Sequence, residues 1–154
     1  ALTGLLLASS LTRAGLRRWA RELPLRGLLA LHLTRFVGIY FLYLHSRGRL
    51  PWAFAVPGGL GDIAVALLSL AAILAGPERP ALRVPLLVWS IFGISDILMV
   101  VVTAARLGLK GPASMIELTR LPLSLLPTLV VPLIIWSHIV ILARLIWRSP
   151  PRLP

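Results

Sequence analysis

Residues 57–75 read Pro57-Gly-Gly-Leu-Gly-Asp62-Ile-Ala-Val-Ala-Leu-Leu-Ser-Leu-Ala-Ala-Ile-Leu-Ala75, a run of nineteen residues with a single charge. About twenty apolar residues is the length an α-helix needs to cross the hydrocarbon of a bilayer. A carboxylate inside such a run is costly against lipid, so Asp62 is expected to face other protein. The frame returns one span later: Gly-Leu-Gly-Asp62-Ile-Ala-Val (59–65) is answered by Gly-Ile-Ser-Asp96-Ile-Leu-Met (93–99), and these are the only aspartates in the chain. The longer stretches 54–67 and 89–101 share an aromatic, a glycine and then small-Asp-Ile, the pattern of a weak internal repeat such as frames the binding site of many transporters.

Working outward, three further apolar runs of spanning length appear: 27–45, broken by His32 and Arg35; 84–105, which carries Asp96; and 121–143, in which the only ionisable side chain is His138. Pro122, Pro127 and Pro132 predict that the last span is kinked or irregular in its first half, because each proline lacks the N–H that the preceding turn would receive. Residues 1–10 are too short to cross alone and are expected to belong to a partial fifth span. Residues 11–23 place Arg13, Arg17 and Arg21 on one face and Leu16, Trp19 and Leu23 on another, an interfacial amphipathic helix ended by Pro24. Ser114-Met-Ile-Glu117 reads as a capping box opening a short surface helix. The fold class is thus all-α, one polytopic transmembrane bundle over 1–154.

Composition agrees: 58% hydrophobic, 14% charged, mean hydropathy +0.90 over 154 residues. Sixteen basic residues outnumber five acidic ones, but the bases lie between the apolar runs, where they meet lipid head groups and orient helices instead of forming a nucleic-acid surface. One side collects Arg13, Arg17, Arg18, Arg21, Arg26, Arg79, Arg83, Arg144, Arg148 and Arg152; the other has Arg47, Arg49, Arg106, Lys110 and Arg120. The richer side, with helix 11–23 and the C-terminus, is therefore expected to be cytoplasmic, in a bacterial inner membrane. Absence of cysteine removes disulfides, thiolate nucleophiles and cysteine-ligated metals. No HExxH, no paired metal-ligand motif and no serine–histidine–acid order is present, so catalytic residues and metals are both expected to be none.

Helical spacing puts His32, Arg35 and Gly38 on one stripe, Gly58, Asp62, Ala66 and Ser69 on a second, Trp89, Gly93, Asp96 and Thr103 on a third, and Ser124, Thr128, Ile135 and His138 on a fourth. Gly38, Gly58, Gly61 and Gly93 are the expected helix-packing positions, since small residues let membrane helices approach closely. Counting depth from the cytoplasmic ends sets His32 and His138 level, Arg35 slightly deeper, Asp96 near the midplane and Asp62 close to the opposite surface. The expected arrangement is an Arg35–Asp96 ion pair with a histidine beside it, and a polar cluster of His32, Arg35, Asp62, Asp96 and His138.

Three functions suit such a cluster. It can fix register in a non-enzymatic accessory subunit, which carries no cofactor. His32 and His138 can ligate haem b between facing helices, with Gly38 and Gly93 making room for the ring. Asp62, Asp96 and Arg35 can serve a proton-coupled carrier or channel. The accessory subunit leads, with membrane lipids and either a second copy or a larger membrane complex as partners.

The series Arg35-Phe-Val-Gly38, Gly48-Arg-Leu-Pro51-Trp-Ala-Phe-Ala55, Gly59-Leu-Gly61-Asp62 and Leu126-Pro127-Thr-Leu-Val-Val-Pro132-Leu, with His138, resembles a broad group of uncharacterised bacterial multi-pass membrane proteins. The resemblance implies the topology and marks Arg35, Asp62, Pro127, Pro132 and His138, without giving any of them a role.

Overall fold

The computed structural model describes residue 5 and residues 22–147. The expected partial span 1–10 and the interfacial helix 11–23 fall outside the described residues except at Leu5, Glu22 and Leu23. Among the described residues every regular element is helical. Four helices are long and apolar enough to cross a membrane: Leu25–Ser46, Trp52–Ala75, Pro80–Lys110 and Leu126–Ile146. The fold is a bundle of four spans.

The first span comprises α1 (Leu25–Leu31), a 3-10 turn (His32–Phe36) and α2 (Val37–Ser46). Thr34 Oγ1 donates back to the Leu31 carbonyl at 2.7 Å, a local bond that competes with the α-helical ladder where the helix tightens. With three residues per turn, residues three apart eclipse, so His32 and Arg35 stack on one edge. Both are buried, at 0% and 1% exposure.

The second span is α3 (Trp52–Ala75), capped by the left-handed Gly76. It begins five residues before the expected Pro57. That proline is accommodated in the second turn, where its missing N–H removes one ladder bond. The third span, α4 (Arg83–Lys110), runs about 42 Å at 1.5 Å per residue.

The last span starts later than expected. Residues 121–124 are turns, Leu126–Val130 form a π-helical turn, and only then does α5 (Val131–Trp147) begin. The Val131 N–H reaches the Leu126 carbonyl, five residues back, and Pro132 has no N–H with which to restore the α pattern. The expected capping box does not form: 112–119 is a 3-10 segment, Ser114 Oγ donates to the Gly111 carbonyl, and Glu117 turns away to Arg49 and Arg120.

The first span packs on α3, α3 on α4 and α4 on α5, and α1 closes the ring against α5. Two apolar cores result. One holds Leu28, Leu29, Val65, Trp89, Trp136 and Ile141; the other holds Phe41, Leu44, Phe54, Ala55, Met115 and Leu123. Between them, at mid-height on every span, lies the polar layer described next.

Candidate functional site

Arg35 is the centre of that layer. Its Nε donates to Asp62 Oδ1 at 2.7 Å, its Nη1 to the Gly93 carbonyl at 3.1 Å, and its Nη2 to Asp96 Oδ2. One guanidinium thus ties the first span to α3 and α4, using the fixed fork of donors that an arginine alone provides. The expected Arg35–Asp96 pair is half of the arrangement. Asp62, placed by the depth count near the opposite surface, is the other half. Its shift has a simple cause: α3 starts at Trp52, which puts Asp62 about 15 Å along the helix, at its middle.

The glycines make this approach possible. A Cβ on Gly61 would overlap the Asp96 carboxylate, and one on Gly38 would strike the Gly59 carbonyl. A Cβ on Gly93 would come within 2.5 Å of the His138 ring. Gly58 is looser, with Val100 Cγ2 at 3.0 Å. Gly59, not among the expected packing positions, belongs with them, because its own Cβ would meet the Gly38 carbonyl at 2.8 Å.

The two histidines meet directly, with ring centroids 4.1 Å apart. Trp89 packs against both, at 4.7 Å from His32 and 4.9 Å from His138, and its indole N–H donates to the Val65 carbonyl. Each imidazole is anchored by a serine that sequence reasoning passed over. His32 Nε2 lies 3.0 Å from Ser137 Oγ, and His138 Nδ1 lies 3.0 Å from Ser90 Oγ. Ser137 spends its own proton on the Ile134 carbonyl, so the His32 Nε2–H must be the donor of that pair. The opposite nitrogens, His32 Nδ1 and His138 Nε2, are buried without a hydrogen-bond partner among the described residues. Neighbouring polar positions gave the only available signal: Ser137 precedes His138, and Ser90 lies one helical turn before Gly93.

This geometry does not fit axial haem ligation. An iron held between two imidazoles needs about 2 Å to each nitrogen, with a flat macrocycle between the rings. Here the rings touch, and Trp89 fills the space beside them. No group of three histidine or acidic side chains converges as a metal site among the described residues.

At the end of the bundle that carries the turn after α2, Glu117 is buried and takes Arg49 Nη2 at 2.8 Å and Arg120 Nη1 at 3.3 Å, fixing the 112–119 segment against that turn. His45 donates Nδ1–H to the Leu50 carbonyl at 3.0 Å within that same turn. At the opposite end, Arg83 Nε reaches the Leu145 carbonyl at 3.0 Å and Arg144 reaches the Leu23 carbonyl. Two of the expected cytoplasmic arginines therefore hold helix and chain ends together as well as carrying charge.

A family model described as a domain of unknown function, DUF8737, matches residues 1–146. The chain belongs to the DUF8737 family. The match takes in all four spans and every residue of the polar layer, so the layer is part of the DUF8737 domain itself. No curated protein and no solved structure matches the chain.

Proposed function

We propose that this DUF8737 protein is a non-enzymatic structural subunit of a membrane assembly, either with copies of itself or with larger membrane partners. The observation that carries the reading is the inward use of its polar groups. Every donor nitrogen of Arg35 is spent on Asp62, Gly93 or Asp96, and each histidine is fastened to a serine, so the cluster works as a clasp between helices. Exposed apolar side chains such as Val84, Val88, Ile91 and Leu98 along α4 are suited to lipid or to further membrane helices. The orientation that goes with this reading places Arg26, Arg79, Arg83 and Arg144 on the cytoplasmic side of an inner membrane.

The test is extraction of the native protein in mild detergent. The subunit reading expects it to migrate with a second copy or a distinct partner, and expects Arg35→Leu to lose that association because two buried carboxylates are left without a counter-charge. A wild-type protein that migrates as a lone monomer overturns the reading.

One observation favours proton-coupled transport as a second reading: Asp62 lines a cavity of about 280 Å³ as well as binding Arg35. If reconstituted vesicles dissipate a proton gradient, and Asp62→Asn stops it, transport takes the lead.

A further inference from the structure

The cavity that ends on Asp62 is apolar and opens to the side. The π turn at the head of the last span, Leu126–Val130, packs closely on its own continuation α5 and only loosely on α2 and α4. The space it leaves, about 280 Å³, is walled by Val37, Phe41, Phe54, Val100 and Val130. The polar groups at its edge are already engaged: Thr34 Oγ1 donates to the Leu31 carbonyl, and Asp62 Oδ1 accepts from Arg35 Nε. A cavity with such walls excludes water and takes apolar groups, and while empty its walls forgo dispersion contacts. A shallower hollow shares Thr34, Val37, Leu126 and Val130 with it and runs on past Tyr40 and Pro122. Tyr40 and Leu125 in that hollow are 37% and 46% exposed, so the way in lies on the flank of the bundle, between the first span and the last.

Length and charge select the occupant. The cavity touches α3 at Phe54, near the helix start, and at Asp62, at its middle, so it runs about 12 Å along the spans. Half of a hydrocarbon core of about 30 Å is about 15 Å, the depth to which one lipid chain reaches from its own leaflet. The end of the bundle from which the cavity runs carries Arg47, Arg49, Arg106, Lys110 and Arg120 against a single acid, Glu117. Glu117 takes Arg49 and Arg120, whereas Arg47 meets no carboxylate among the described residues. Its guanidinium lies 5.4 Å from the centre of the Tyr43 ring, and Tyr43 stacks on Tyr40 with centroids 6.0 Å apart. Tyr40, Tyr43 and Arg47 thus make one face of α2 that leads from the hollow to the helix end.

We propose that this cavity holds one acyl chain of an anionic phospholipid, which enters sideways from the membrane and sets its phosphate against Arg47. The chain end lies at the level of Asp62, in contact with the apolar walls. The lipid's second chain has its bed in the shallower hollow, a use that a single-chain fatty acid lacks. Tyr40 and Tyr43 flank the region between chains and head group, where aromatic rings are favoured in membrane proteins, and basic side chains there attract anionic heads. The inference does not rest on the subunit reading: a subunit can hold such a lipid, and a lipid-binding protein need not be one.

Native mass spectrometry of the full chain in mild detergent, titrated with dioleoylphosphatidylglycerol, dioleoylphosphatidylcholine or oleic acid, tests it. One phosphatidylglycerol is expected to be held saturably per chain. Phosphatidylcholine is expected to bind about fivefold or more weakly, the effect of one basic side chain near a head group, and oleic acid also more weakly, for want of a second chain. Ala104→Trp, which fills the cavity from α4, and Val130→Phe, which narrows it from the π turn, are expected to lose the lipid while the melting temperature stays near wild type. Arg47→Gln is expected to remove most of the preference for phosphatidylglycerol over phosphatidylcholine. No retained lipid, equal retention of the two phospholipids, retention unchanged in both cavity variants, or oleic acid held as tightly as phosphatidylglycerol overturns the proposal. Should a cavity variant unfold, Arg47→Gln, at an exposed position, still decides, and an unchanged preference there overturns it. Lipid is counted per chain whatever the oligomeric state, so its loss and the loss of a partner in migration are separate results.

Discussion

Arg35 meets three acceptors on two helices because its donors leave a planar group in fixed directions. A lysine ammonium is a point charge on a flexible stem and cannot reach Asp62, Gly93 and Asp96 in the same way. Arg35→Lys is therefore expected to destabilise the bundle by about 1–3 kcal/mol through the acceptors it leaves unmet, read as a drop in thermal midpoint in detergent. Ser137→Ala should cost a similar amount, about 1–3 kcal/mol, since the His32 Nε2–H loses its acceptor in a site with 0% exposure. Gly61→Ala acts through space rather than charge. Its methyl would occupy the place of the Asp96 carboxylate, so the variant should lose the Arg35–Asp96 bond and fall to about the stability of Asp96→Ala. A Gly61→Ala protein with wild-type stability would contradict this close approach.

At the scale of the elements, much of the design was legible. The four spans follow from the length of the apolar runs, and the stripes of glycine and polar residues followed from helical periodicity. The limits of legibility have specific causes. Asp62 was placed too near one surface because Pro57 reads as a helix start, whereas Trp52 to Val56 precede it in the same helix. The 3-10 turn that eclipses His32 and Arg35 has no sequence signature beyond Thr34, and threonine is common in membrane helices. Ser90 and Ser137 were overlooked because a serine in a helix can satisfy itself on its own backbone, and only the fold shows which ones face a histidine. The three prolines announced an irregular start to the last span; that it is a π turn rimming a cavity depends on tertiary packing. The segment 112–119 gives an element-scale prediction. Glu117 is buried but the Arg49 and Arg120 side chains are 47% and 59% exposed, so Glu117→Gln is expected to loosen the segment for about 1 kcal/mol or less. The checks are faster amide exchange over 112–119 and unchanged exchange in α1 and α5.

For the whole molecule, the distribution of charge and the central clasp make separate claims. Because the chain has no cysteine, single cysteines report sidedness directly. Ala81→Cys, exposed before α4, and Ala113→Cys, exposed after it, should label from opposite faces with a membrane-impermeant maleimide, Ala81→Cys from the cytoplasmic one. Labelling of both from one face would remove the third crossing. The clasp is tested most directly by the thermal stability of Arg35→Gln compared with the triple variant Arg35→Gln/Asp62→Asn/Asp96→Asn. The single variant strands two carboxylates in the interior and is expected to lose about 3–5 kcal/mol, while the triple variant, which strands no charge, should recover most of that loss. A triple variant no more stable than the single one would mean that Asp62 and Asp96 are not the counter-charges of Arg35.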